Sequence, residues 1–282
     1  MSSPTTPVSV IIPTHNRAGF LPQAIESVLS QSYANFELIV VDDGSIDETQ
    51  ALLAFYGKAL VTLRQENRGP AAARNTGIRA ARYPLLAFLD SDDRFTRQKL
   101  ALQVAAMEAQ PELLISHTQE TWFRNGHHLN QKRRHAKEGG DLFARSLELC
   151  VVGMSTVMAR RELFDRVGLF DESFPCCEDY ELWLRASAHH PFLLVDAPLT
   201  VKHGGREDQV SVQFKTGMDC FRIRALEKLL SSIPLSFDQS RLAREELVRK
   251  AVMYGNGCLK HGRHEEGQRC LSLAAQHSCH SV

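Results

Sequence analysis

Residues 88–93 read FLDSDD, two apolar residues followed by three aspartates in four positions. Carboxylates this close repel one another, and each raises its neighbours' pKa unless positive charge sits among them. The stretch therefore predicts a partner. Hard divalent cations take oxygen ligands, commonly one or two carboxylates plus substrate phosphates, so a magnesium or manganese ion carrying a diphosphate meets the need. Two further acidic sites accompany this one. Asp42 and Asp43 close the apolar run FELIVV, and Glu178 and Asp179 precede YELWLR. A solvated acidic loop would explain any one of them; three, two of which follow apolar runs, point to a shared site.

The chain has no GxGxxG after its first apolar run and no GxxxxGK[ST]. A backbone phosphate cradle of either kind is thus not expected. A metal held by aspartates would hold a diphosphate instead and, as a Lewis acid, stabilise charge building on it as it leaves.

These acidic groups need elements to position them. The β-branched run 8–12 ends at Pro13 and reads as a strand buried on both faces. Apolar residues spaced three and four apart predict a helix over 18–30. A strand over 36–41 stops at the turn DDGS, and a helix follows over 49–55. The cycle repeats with a strand at 60–63, a helix opened by Gly69 and Pro70 over 70–81, and a strand at 84–89. Strands and helices alternating at this pace predict an α/β fold, a mostly parallel open sheet flanked by helices. Ligands bind at the carboxyl edge of such a sheet. From about residue 112 the alternation weakens, and 123–138 read as a polar, basic surface excursion. Helix is expected again at EDYELWLRASA and from Met218 onward, where the last part forms one helical hairpin turning at KHGRHEEG. A single hairpin is too short for a solenoid. This divides the chain into residues 1–217, carrying the site, and a C-terminal helical extension, 218–282.

With 282 residues, 43% of them hydrophobic and 23% charged, the chain can bury a full core. Lys plus Arg equals Asp plus Glu at 33 each, so no global field recruits nucleic acid. No apolar run approaches a membrane span and no leader pattern opens the chain, which makes cytoplasm the expected compartment. Seven cysteines without a CxxC pair fit reduced thiols better than a disulfide framework or a zinc site.

In order, VSVIIPTHNR, LIVVDDGSIDET, RGPAAARNTGI, LLAFLDSDD and EDYELWLR resemble the family 2 glycosyltransferases over about residues 7–212. The resemblance implies the GT-A fold and a nucleoside-diphosphate sugar as donor, UDP by family habit, with cell-envelope polysaccharide as a setting. It implies that Asp43 contacts the base in a pocket lined by Pro13, Thr14 and Asn16, and that Arg74 and Asn75 lie near ribose and diphosphate. Asp90 and Asp92 match the DxD pair that holds Mn2+ or Mg2+, with Asp93 beside them. Asp179 matches the general base, His203 a late metal ligand, and Arg206 and Ser211 fall in a flexible lid over the donor.

Plainer uses stand beside these. Asn16 and Asn75 suit turns, Arg74 suits a helix surface, and acids at 178 and 179 suit a first helical turn. The basic residues 132–134 suit either a solvated loop or peripheral contact with anionic headgroups at the inner face of a membrane.

The implied reaction is one inverting displacement, with Asp179 taking the proton of an acceptor hydroxyl on a carbohydrate, a lipid-linked sugar or a protein. The alternatives are an enzyme like the sugar-nucleotide pyrophosphorylases, whose glycine-rich N-terminal signature is missing, and a non-catalytic nucleotide-sugar binding module, which predicts the loss of an acidic position. All the acidic positions are present.

Overall fold

A computed structural model describes residues 5–132, 135–206, 209–214 and 217–278. Arg133 and Arg134 of the basic stretch, Glu207 and Asp208 of the lid segment, and Cys279 lie outside the described residues, as does the side chain of Ser211.

The first half follows the expected alternation. Strands β1 (Val8–Thr14), β2 (Phe36–Asp43), β3 (Val61–Gln65) and β4 (Leu85–Phe88) are joined by helices α1 (Leu21–Leu29), α2 (Thr49–Tyr56) and α3 (Pro70–Ala80). The strands pair in parallel in the order β3-β2-β1-β4, with Val10 facing Leu38 on one side and Ala87 on the other. Val8, Val10, Ile11 and Ile12 are wholly buried, which is why this run carries no polar alternation. Helix α1 begins three residues later than its periodicity suggests, because the Arg17 carbonyl accepts the N–H groups of Phe20 and Leu21 in a turn of its own.

The second half is mixed. It runs β5 (Arg94–Phe95), α4 (Lys99–Ala109), β6 (Ile115–Arg124), β7 (His127–Leu129), α5 (Phe143–Glu148), β8 (Met158–Arg160), α6 (Arg161–Val167), α7 (Glu178–Ser187), β9 (Leu193–Gly204), α8 (Val210–Gln213), α9 (Met218–Ser232), α10 (Phe237–Lys260) and α11 (His264–Ser278). Among the described residues one sheet runs β3-β2-β1-β4-β8-β6-β9-β5, with β7 paired to β6. Only the short strands β5, β7 and β8 run against the others, so the sheet is mostly parallel. Part of the stretch expected as a surface excursion belongs to this sheet instead: β6 extends to Arg124 and turns into β7. The buried positions of β6 include Ser116, His117, Thr118 and Glu120, polar residues that conceal a strand from any search for apolar alternation.

Two apolar cores cover the two faces of the sheet. A third joins Phe143 and Leu147 of α5 and Tyr180 and Leu184 of α7 to Leu226, Leu229, Leu247 and Ala251 of the C-terminal helices. The extension beginning at Met218 therefore shares its core with the helix that carries Asp179. No described helix is long and apolar enough to cross a membrane.

Candidate active site

The carboxyl ends of β1, β2 and β4, the start of α7 and the end of β9 enclose one cleft of about 820 Å3. Pro13, Thr14, Asn16, Asp43, Arg74, Asp90, Asp92, Asp93, Glu178, Asp179 and His203 all line it. Ligand-sized pockets of this kind sit where a parallel sheet presents its strand ends.

The end of the cleft beside β1 and β2 is built from turns that hold each other. Asn16 adopts a left-handed conformation (φ 51°), which asparagine tolerates. Its backbone N–H donates to Ser45 Oγ (2.9 Å), and its Oδ1 accepts the N–H of Ile46 (2.8 Å). Asp43 is buried, and its carboxylate accepts from Gln65 Nε2 (2.7 Å) and from the N–H groups of Arg68 (3.0 Å) and Gly69 (2.8 Å). It thereby fastens the turn that opens α3. Gly44 (φ 75°) packs against this turn so closely that a β-carbon would lie 2.7 Å from the N of Asn67. His15, which sequence reasoning passed over, donates from Nδ1 to the Asp43 carbonyl (2.7 Å) and accepts at Nε2 from Asn67 (3.1 Å). Thr14 Oγ1 is buried without a partner in the wall of the cleft.

Protein cations meet the charge of DSDD. Arg74, 5% exposed, donates to Asp90 (2.9 Å) and to Glu178. Burial opposes its charge, but Asp90 and Glu178 more than restore it, so its pKa is raised. Burial also works against the Asp90 carboxylate, yet Arg74 and Lys202 hold its pKa low, whereas Glu178 is pushed up because burial outweighs Arg74. Asp92 pairs with Arg206, whose guanidinium lies 4.2 Å from the centre of the Phe20 ring. Asp93 is buried. It accepts from Ser155 Oγ (2.6 Å) and from the N–H of His203 (3.2 Å), with Lys202 Nζ 4.0 Å away. Burial, then Asp90 and Asp92, push its pKa up to about 8 against the pull of Lys202.

Three of the expected residues hold protein partners. Arg74 lines the cleft as a strut between two carboxylates, its Nε buried without a partner among the described residues. Asn75 does not line the cleft: its amide donates to the Phe170 carbonyl (2.9 Å) and accepts the Phe170 N–H (3.0 Å), tying α3 to the loop before α7. His203 is not gathered with Asp90 and Asp92 as a ligand. Its Nε2 accepts from Arg94 (2.8 Å) and its ring stacks on Phe123 at 5.6 Å. Among the described residues no three His, Cys, Asp or Glu side chains are grouped to enclose a metal by themselves. The donor set nonetheless suits a hard cation. Asp90 and Asp92 offer carboxylate oxygens to the cleft, their side chains 30% and 18% exposed, and substrate phosphates and water can complete such a coordination shell.

Asp179 lies in the first turn of α7. Its Oδ1 accepts the N–H of Tyr180 (2.7 Å), one of the donors that a helix start leaves without a partner, and its Oδ2 accepts from the Cys150 thiol (3.3 Å). Burial, then the Asp179 charge, raise the pKa of that thiol well above the usual range, so it remains a donor. Cys176 and Cys177 line the same wall, and burial raises both thiols, to about 11 for Cys176. Such thiols are inert as nucleophiles. The Asp179 carboxylate thus bonds backbone in the first turn of α7 and also lines the cleft. Sequence reasoning missed Lys202, Cys150 and Arg222, none of which stands in a motif.

A nucleotide-sized cleft at the carboxyl edge of a parallel sheet, rimmed by acids from three chain segments, defines a GT-A-type α/β protein. The model of "Glycosyl transferase family 2" matches residues 9–168, and the chain belongs to that family. It is 36% identical over 203 residues to an uncharacterized glycosyltransferase of Rickettsia conorii, covering 69% of this chain and 32% of that protein. It is 34% identical over 182 residues to the UDP-Glc:alpha-D-GlcNAc-diphosphoundecaprenol beta-1,3-glucosyltransferase WfgD of Escherichia coli, covering 63% of this chain and 68% of that one. The chain thus spans about a third of the length of the rickettsial relative. The fold is shared with S. aureus TarS 1-349 in complex with UDP-GlcNAc, with TM-score 0.71 and 20% identity over 95% of this chain and 79% of that one. It is also shared with the mannosyltransferase PcManGT of Pyrobaculum calidifontis in complex with GDP-Man and Mn2+, with TM-score 0.63 and 18% identity over 96% and 74%.

Proposed function

We propose that this protein is an inverting glycosyltransferase that moves a sugar from a UDP-linked donor to an acceptor hydroxyl. One observation carries the proposal: a single cleft gathers the turns after β1 and β2, the DSDD cluster and an Asp179 whose carboxylate is held at both oxygens. Family membership and a solved neighbour holding UDP-GlcNAc support a nucleotide sugar over the alternatives, and Asp43, Asp90, Asp92, Asp93, Glu178 and Asp179 line the cleft, while Asp42 is buried beside it and accepts the Ser45 N–H.

In this reading the base lies against the turns around Asn16 and Asp43, which orient it by shape. Asp179 accepts the proton of the acceptor hydroxyl as that oxygen forms its bond to the anomeric carbon, and the bond to the diphosphate breaks with its electron pair going to phosphate. The Tyr180 N–H and the Cys150 thiol keep the carboxylate in one orientation while this happens. A Mn2+ or Mg2+ ion, when bound, would be held by Asp90 and Asp92 and would stabilise charge on the departing diphosphate. The relative WfgD, named for a diphosphoundecaprenol-linked acceptor, supports a saccharide carried on a lipid, with the protein in peripheral contact with the membrane.

Calorimetry with UDP, UDP-GlcNAc, UDP-Glc and GDP-Man, each with and without Mn2+, beside a turnover assay, tests the proposal. A UDP sugar should bind in the micromolar range and be consumed in the presence of acceptor. Absence of binding by every nucleotide sugar would overturn it.

A further inference from the structure

The cationic side chains of α9 have different fates. Lys228 pairs with Asp171 and Glu181, both at 2.7 Å, and Arg224 donates to Ser173 with its guanidinium over the Phe174 ring. Both are spent on fastening α9 to α7 and the segment before it. Arg222 instead lines the cleft, together with Met218 from the same helix. Its side chain is 19% exposed, and its Nε is buried without a partner among the described residues. Its bond from Nη1 to Asp219 is long at 3.3 Å, and that carboxylate is itself 49% exposed, which makes the pair weak. The guanidinium stands 5.9 Å from the Tyr180 ring centre, one residue from Asp179 in the chain. A largely buried guanidinium in the cleft wall whose ion pair is this weak calls for a stronger acceptor, and its planar fork matches phosphate better than it matches a hydroxyl.

We propose that Arg222 holds the phosphate of a phosphorylated sugar acceptor, so that the C-terminal extension completes the acceptor end of the cleft. The inference rests on the proposed function, since it takes Asp179 as the base beside which an acceptor must lie. Arg222 reaches the cleft that Asp179 also lines from α9, which packs on α7 and α10. Donor and acceptor phosphates are then served by different parts of the chain, the donor's by the edge of the sheet and the acceptor's by α9.

Calorimetry on the full chain saturated with UDP and Mn2+ separates these ligands. The probes are N-acetylglucosamine 1-phosphate, glucose 1-phosphate, the two free sugars and inorganic phosphate, each titrated into the wild type, Arg222→Gln and Arg222→Lys. At least one sugar phosphate should bind the wild type, about tenfold or more weaker to Arg222→Gln and to an intermediate degree to Arg222→Lys, while UDP binds all three proteins alike. Equal affinity of wild type and Arg222→Gln for the sugar phosphates, or no binding of either sugar phosphate to the wild type, would overturn the proposal. So would inorganic phosphate reproducing the whole Arg222-dependent affinity, since the site would then hold bare phosphate. Failure of UDP to bind the wild type would overturn the donor assignment instead, and the same titrations without UDP decide Arg222 on its own.

Discussion

Asp43 and Asp179 are both acids in the cleft, yet they hold different partners and should fail differently when changed. Asp43→Ala leaves the N–H groups of Arg68 and Gly69 and the amide of Gln65 without their acceptor. Hydrogen bonds to a charged group are worth about 1.5–3 kcal/mol each, so losing three should lower stability by about 4 kcal/mol or more as well as weakening UDP binding. Asp179→Asn keeps its size and loses little packing. It should leave UDP affinity within about twofold of wild type and lower kcat by about 100-fold or more, the usual contribution of a general base. Chemical denaturation beside calorimetry and turnover checks both, and a loss of UDP affinity in Asp179→Asn as severe as in Asp43→Ala would reject the division of roles. Asp92→Asn should abolish Mn2+-dependent transfer with the fold intact, because the amide oxygen can still accept from Arg206. Retained transfer, or unfolding of the variant by circular dichroism, would count against it.

At the scale of elements, close packing of α3 on β1 places Arg74 and the turn held by Asp43. A β-carbon added at Gly77 would lie 2.4 Å from Cγ2 of the wholly buried Ile11. Alanine is the better helix former by about 1 kcal/mol, but overpacking a filled core costs typically 1–3 kcal/mol, and here the obstacle lies in the centre of the sheet. Gly77→Ala is therefore expected to destabilise, read as a lower denaturant midpoint, and a stabilised variant would show that α3 is free to shift. Helix α10 opens with a reciprocal cap: Ser236 Oγ accepts from the Gln239 N–H (3.2 Å), and Gln239 Oε1 accepts from the Ser236 N–H (3.0 Å). Ser236→Ala should cost about 1 kcal/mol of stability without touching UDP affinity.

For the molecule as a whole, stability should depend on pH through a strand that the cleft needs. His117 of β6 is fully buried and its Nε2 donates to the Glu138 carbonyl (2.7 Å). Burial, then the charge of Lys137, lowers its pKa from the usual 6.5 to about 4. Between those values the unfolded chain binds a proton that the folded one refuses, so this contribution is complete above pH 6.5 and is lost as the pH falls toward 4. At about 1.4 kcal/mol per pH unit the loss totals roughly 3 kcal/mol. Urea unfolding from pH 7 to pH 4.5 should show this slope, and His117→Gln should flatten it. The C-terminal helices bind the whole together in another way. Removing residues 218–282 would expose the apolar core that Tyr180 and Leu184 share with Leu226, Leu229 and Leu247, so a 1–217 fragment should aggregate or lose near-UV dichroism.

Runs such as VSVIIP and FELIVV were enough to determine the alternating first half, because a strand buried on both faces has to be written in apolar residues whatever surrounds it. The acids at 43, 90, 92 and 179 were legible as a group because strand ends are local features and their spacing survives in the chain. Neither local signal says what a charge will meet. Nothing local in the chain shows that Arg74 stands between Asp90 and Glu178, 16 and 104 residues away. His203 became a partner of Arg94, 109 residues distant, and β6 became a strand by burying polar residues that local rules assign to the surface. Arg222 reaches the cleft because an apolar core docks α9 on α7. Pattern along the chain determines which residues form elements, since propensity and periodicity act over a few residues. Which side chains pair depends on contacts between segments far apart in sequence, and those are decided when the sheet and the helices close together.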